Sequence, residues 1–290
     1  MSVAGASKTA TDESVVYVYG VGRVVSGAGS APLRLEGIIP QAPVQPVVHG
    51  GLAAFVSMVP ASQFGATELR AGLADAEWLR ERILAHEKTI EELCSSHGAV
   101  PFRFCTIFRD AAEVAKVLAR HQAELEQTLD RVRGASEWGV KLFYDPAALR
   151  RQVETASGAI GNLRKTLIGA APGAQFFLRK KFDKALDAEV ASIIAMSVAH
   201  SHGCLAARAR ETAQIKLQTP AEHGRPEVMI MNVACLVDEA AAGEFKRTLA
   251  QLRTEFAAQG LVYELTGPWP AYHFVSSGRE GLADAAASDQ

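Results

Sequence analysis

Glu137-Trp138-Gly139-Val140-Lys141-Leu142-Phe143-Tyr144, followed at once by Asp145-Pro146, stands close to the middle of the 290-residue chain and decides how its fold divides. The apolar and aromatic octet reads as a β-strand. Asp145-Pro146 supplies a helix N-cap and then the first helical position, where proline is tolerated because the N–H there has no intrahelical partner. Such a strand either completes one sheet or opens another. We place the division near Ser136; two domains are expected of a chain about twice ~150 residues long.

Upstream, Val15-Val16-Tyr17-Val18-Tyr19-Gly20 reads as a strand buried on both faces, and Leu52 to Val59, closed by Pro60, as a second strand in the same sheet. Asp75 to His97 then changes period. Leu79, Ile83, His86, Ile90, Leu93 and His97 recur at alternating steps of four and three, the mark of an amphipathic helix, with charged residues between them. Gly98 and Pro101 end it, and Phe102 to Phe108 alternates apolar with polar or small residues as a half-exposed strand does. Asp110 with Glu113 three residues on resembles a capping box for a helix that runs to Gly134. The first half thus reads β, β, α, β, α.

Downstream of Asp145, Leu149, Val153, Ala156, Ile160, Leu163 and Leu167 mark a long helix. Pro172-Gly173 breaks it, and a second helical pattern from about Ala174 to Lys216 makes a hairpin. Val228 to Val237 is apolar enough for a central strand. A helix capped by Asp238 carries Phe245, Leu249, Leu252 and Phe256 inward, and Leu261 to Leu265 forms a last strand before the turn Gly267-Pro268-Trp269-Pro270. Both halves resemble split β-α-β units. The expected fold class is α+β with two modified ferredoxin-like domains, the second enlarged by a long helical hairpin: a disordered tail over 1–14, domains over 15–135 and 136–275, and a mobile tail over 276–290.

Composition narrows the function. Hydrophobic residues at 48% and charged residues at 21% suit a chain with real cores, and 30 Lys and Arg against 32 Asp and Glu exclude a global electropositive field for nucleic acid. Cys94, Cys105, Cys204 and Cys235 form no C-x-x-C pair, and scattered thiols with no signal-peptide pattern at Met1 to Ser14 point to the cytoplasm. Two uncharged stretches fail as membrane spans. Gly37 to Thr67 carries Pro40, Pro43, Pro46 and Pro60, and Val190 to Ala207 is interrupted by six polar or glycine positions.

No catalytic constellation emerges. His86-Glu87-Lys88-Thr89-Ile90 lacks the second histidine of H-E-x-x-H, so His86, on the apolar stripe, reads as a buried, hydrogen-bonded residue, and His121 likewise. In a helix His200 and His202 diverge, which leaves His200 and Cys204 on one face, too few ligands for a closed zinc site. Gly20-Val21-Gly22 lacks the third glycine of a dinucleotide fingerprint, Val25 standing in its place, and reads as a turn. Arg103 and Arg109 beside Phe102, Phe104 and Phe108 match RNA-binding strands poorly. Arg179-Lys180-Lys181 reads as a solvated patch beside Phe176, Phe177 and Leu178. No cofactor or metal is expected.

An ordered set of segments nevertheless resembles the gas vesicle protein F/L family: Val16 to Gly20, Trp78-Leu79 with Ala85-His86-Glu87, and Pro101-Phe102-Arg103-Phe104-Cys105-Thr106-Ile107-Phe108-Arg109-Asp110. Glu137 to Lys141, Asn232 to Val237 and Gly267-Pro268-Trp269-Pro270-Ala271-Tyr272-His273-Phe274 continue it. Cys105 stands where the family pattern usually has glycine. The resemblance implies a non-enzymatic minor structural component or assembly factor of gas vesicles. Its implied partners are the small hydrophobic shell protein, which it keeps from aggregating during nucleation, and other accessory proteins, with no nucleic acid or lipid membrane. An apolar patch or strand addition at an open sheet edge would hold such a partner. Trp269 and Tyr272, in a Gly- and Pro-bounded turn, are the expected anchors. The rival classes are a regulatory protein with a small-ligand pocket between the domains and a metal enzyme built on His86 or His200.

Overall fold

The structure, a computed structural model, describes residues 13–24, 33 and 35–275. Apart from Glu13 and Ser14, the two expected tails lie outside the described residues. The chain forms two units, Met1–Gly134 with Pro270–Gln290, and Ala135–Trp269. The architecture is α+β, with one antiparallel sheet in each unit.

In the first unit β1 (Ser14–Arg23) is buried along Val16 to Gly22, as its apolar run requires. It pairs with β3 (Leu52–Pro60) on one side, and on the other with β4 (Val100–Pro101) and β5 (Ile107–Phe108). β2 (Gln45–His49) is the outer strand on β3. The expected continuous strand over Phe102 to Phe108 is therefore two short strands around a turn. The Phe102 N–H donates to the Tyr19 carbonyl at 2.7 Å, and Cys105 then takes a left-handed backbone, φ 62°, which turns the chain back before β5. Gly20 and Gly22 lie within β1, not in a turn after it. A Cβ on Gly20 would stand 2.3 Å from the Val100 carbonyl oxygen, so only glycine lets β4 approach there.

Two short helices, α1 (Ala61–Phe64) and α2 (Ala66–Ala74), precede α3 (Ala76–His97). The Asp75 carboxylate caps α3 by accepting from the N–H groups of Glu77 and Trp78, and Gly98 closes it in the left-handed conformation. Its buried face holds His86, Thr89, Ile90 and Leu93, while Ile83, expected on the stripe, is exposed. After Asp110, which accepts from the Glu113 N–H, the expected single helix breaks at His121 into α4 (Ala111–Arg120) and α5 (Gln122–Val132). The Glu113 carboxylate accepts from the Arg109 N–H, one residue earlier than a capping box would place it.

In the second unit β6 (Ala135–Tyr144), the strand that left two assignments open, lies between β8 (Val228–Asp238) and β9 (Leu261–Trp269), and β7 (Glu211–Gln214) edges β8. The connection β6, helices, β7, β8, helix, β9 with spatial order β7-β8-β6-β9 is the split β-α-β arrangement. The first unit repeats the spatial order as β2-β3-β1-β4, but among its described residues no helix joins β1 to β2. Asp145 caps α6 (Pro146–Ala156) as expected. Ser157 ends it and caps α7 (Gly158–Ile168) through the Ile160 N–H, so the first arm is two helices. The second arm, α8 (Pro172–Ala206), stops ten residues short of Lys216 because residues 211–214 pair with β8. After α9 (Pro220–His223), α10 (Ala242–Glu255) lays Phe245, Leu249 and Leu252 on the sheet. The last strand runs to Trp269 instead of ending at Leu265. Pro270 to Val275 belong to the first unit rather than to the expected 136–275 domain: Phe274 is buried, and Arg131 donates to its carbonyl oxygen.

Candidate functional site

His86 lies at the centre of a buried aromatic cluster formed because β1 and α3 face each other. Only 1% of it is exposed. Its Nδ1 is 2.8 Å from the Tyr17 hydroxyl, which also accepts the Cys105 N–H at 3.1 Å. Tyr19 stacks on the imidazole, centroids 6.0 Å apart, and Phe104 meets it edge-on at 5.4 Å. Tyr19 in turn donates to Ser57, which donates to the Ala42 carbonyl. Burial lowers the His86 pKa to about 4, with the Phe102 backbone pulling weakly the other way, and raises those of Tyr17 and Tyr19. The imidazole is thus buried and hydrogen-bonded through Nδ1, as the sequence reading of His86 expects, while its Nε2 is buried without a partner among the described residues.

His121 Nδ1 lies 3.3 Å from the Glu124 carboxylate. His200 Nε2 is 3.3 Å from Glu255 and 3.6 Å from the Cys204 sulfur, while His202 turns away to Thr212, the divergence its helical spacing requires. Among the described residues no three His, Cys, Asp or Glu side chains come together as a metal site. Burial pushes the thiols of Cys94, Cys105 and Cys235 up to about 12, far from the thiolate a nucleophile needs. No helix is long and apolar enough to cross a membrane among the described residues.

The two expected anchors belong to different units. Trp269 ends β9 in the second unit and is 50% exposed, on a strand whose outer edge no other strand covers among the described residues. Tyr272 lies in the first unit, half-buried against its core, with its hydroxyl donating to the Glu87 carboxylate at 3.1 Å. Burial raises the Glu87 pKa and this bond holds it down. The most exposed of the large apolar side chains lie elsewhere, at the α7–α8 tip: Ile168, Phe176 and Phe177, each more than 70% exposed. Their signal in the sequence is the uncharged run between Lys165 and Arg179.

The family model for gas vesicle synthesis protein GvpL/GvpF matches residues 15–276. The chain belongs to the GvpL/GvpF family. It is 30% identical to gas vesicle protein L of Streptomyces sp. (strain CB03234) over 269 residues, 92% of this chain and 94% of that relative. It is 27% identical to gas vesicle protein F of the same strain, over 89% of this chain and 98% of that one. The fold is that of the gas vesicle protein GvpF crystal structure from Anabaena sp. PCC7120, with TM-score 0.69 at 18% identity over 91% of this chain and 98% of that one. The GvpF structure from Microcystis aeruginosa aligns with TM-score 0.62. A role in gas vesicles follows from membership of the GvpL/GvpF family across nearly the whole chain.

Proposed function

We propose that this GvpL/GvpF protein is a non-enzymatic assembly factor or minor component that binds the small hydrophobic shell protein in the cytoplasm and limits its aggregation while a vesicle nucleates. The family match over residues 15–276 carries the reading. The surface chemistry supports the mechanism. β9 is an edge strand with Val262 and Trp269 exposed, and an edge can extend its sheet with a strand from an aggregating partner. Trp269 is the proposed anchor, because a half-exposed indole loses water on docking at little conformational cost. Tyr272 is the second proposed contact, through the part of its ring not packed on the first core.

Co-expression of the tagged chain with the shell protein tests this. The shell protein should co-purify in soluble form, and Trp269→Ala should cut its recovery several-fold with the melting temperature little changed, as for an exposed side chain. Failure of the shell protein to co-purify with the unaltered chain would refute the binding role. Lost stability with unchanged relative capture would make Trp269 a packing residue.

A further inference from the structure

The tip of the α7–α8 hairpin differs in chemistry from the rest of this chain. From Glu154 to Asp183 the sequence contains no carboxylate between those two, yet it holds Arg164, Lys165, Arg179, Lys180 and Lys181, in a protein whose net charge is −2. All five cations are exposed, and none makes an ion pair among the described residues. Nearer the root the pattern differs, since Arg150 pairs there with Asp183 and Asp187.

The apolar residues lie beyond the cations, toward the end of the hairpin. Ile168 follows Arg164 by one turn on α7, and Phe176 and Phe177 precede Arg179 to Lys181 by about one turn on α8. One turn is ~5.4 Å, so an apolar crown caps a cationic collar. The two phenyl rings meet edge-on with centroids 5.6 Å apart. The platform beneath is packed: Phe182 and Leu186 are buried against Leu149, Val153 and Ile160. A solvated charge patch accounts for the collar but not for two phenylalanines, each 73% exposed, on a helix that is anchored in its own core.

We infer that this tip docks a protein segment whose apolar face is flanked by carboxylates, and that the shell protein is its occupant; the identity of the occupant rests on the function proposed above. The crown supplies the desolvated contact, and the uncompensated collar selects and steers an acidic rim. It would act as a second contact apart from the β9 edge, which carries Trp269 but no comparable cluster of unpaired cations.

Capture of co-expressed shell protein by the full chain separates the possibilities. Three forms are compared: unaltered, Phe176→Ser with Phe177→Ser, and Arg179→Glu with Lys180→Glu and Lys181→Glu. Each altered form should lose about tenfold or more in capture. The melting temperature should stay within a few degrees, because the replaced side chains are exposed. Capture by the unaltered chain should weaken as ionic strength rises from ~0.1 M to ~1 M. Equal capture by all three forms would overturn the tip while leaving the proposed function standing. No capture even by the unaltered chain would overturn both. Binding to phosphatidylglycerol vesicles that is lost in both altered forms, with shell-protein capture unchanged, would overturn the inference in favour of an anionic lipid surface.

Discussion

At the scale of single residues, His86 links sequence, packing and pH. Its place on the apolar stripe of α3 puts it inside the core, where Tyr17 satisfies Nδ1 and burial holds its pKa at about 4. The unfolded chain has an ordinary histidine near ~6.5. Above that value neither state binds the proton and no stability is lost. As pH falls from ~6.5 toward ~4, only the unfolded state takes up the proton, so the first unit loses up to about 3 kcal/mol across that window. Urea midpoints measured at about pH 7.5 and pH 5 should show this loss, and His86→Leu should flatten the difference while costing stability at both values. A His86→Leu protein with an undiminished pH slope would assign the effect to another group.

At the scale of elements, much was legible because the signals are local. The β-branched run of β1 and the Asp75 and Asp145 caps each fix a boundary through contacts within three residues. What escaped depends on distant partners. Residues 211–214 have a composition a helix accepts, but β8 offers them ladder hydrogen bonds, and pairing overrides propensity. Phe102 to Phe108 alternates like a strand, but the left-handed Cys105 and the bond from its N–H to Tyr17 bend the segment. Gly20 shows the same dependence from the other side: its role is to admit the Val100 carbonyl, a residue eighty positions later in the chain. Gly20→Ala should therefore cost the first unit about 2 kcal/mol or more by overpacking. Gly158→Ala, at the start of α7 with nothing within 4 Å of the added carbon, should be neutral or mildly stabilising. Denaturant midpoints for the two variants test the contrast, and equal midpoints would refute the close-approach argument.

At the scale of the whole molecule, the second unit is an insertion within the first. The sequence reads as two consecutive domains, 15–135 and 136–275, with the turn after β9 and both Trp269 and Tyr272 inside the second. Yet the chain crosses from one unit to the other between Trp269 and Pro270. Phe274 and Val275 are almost wholly buried in the first unit, where Arg131 and Glu87 hold this segment by hydrogen bonds. The stability of the first unit thus depends on residues that follow the whole of the second. Phe274→Ala removes a fully buried ring, a change that costs about 3–5 kcal/mol where the cavity cannot collapse. Hydrogen exchange should read that loss in β1, β3 and α3, more than a hundred and fifty residues earlier, while β6, β8 and β9 keep their protection. Loss confined to residues 135–269 would instead place Phe274 in the second core and make the two domains consecutive.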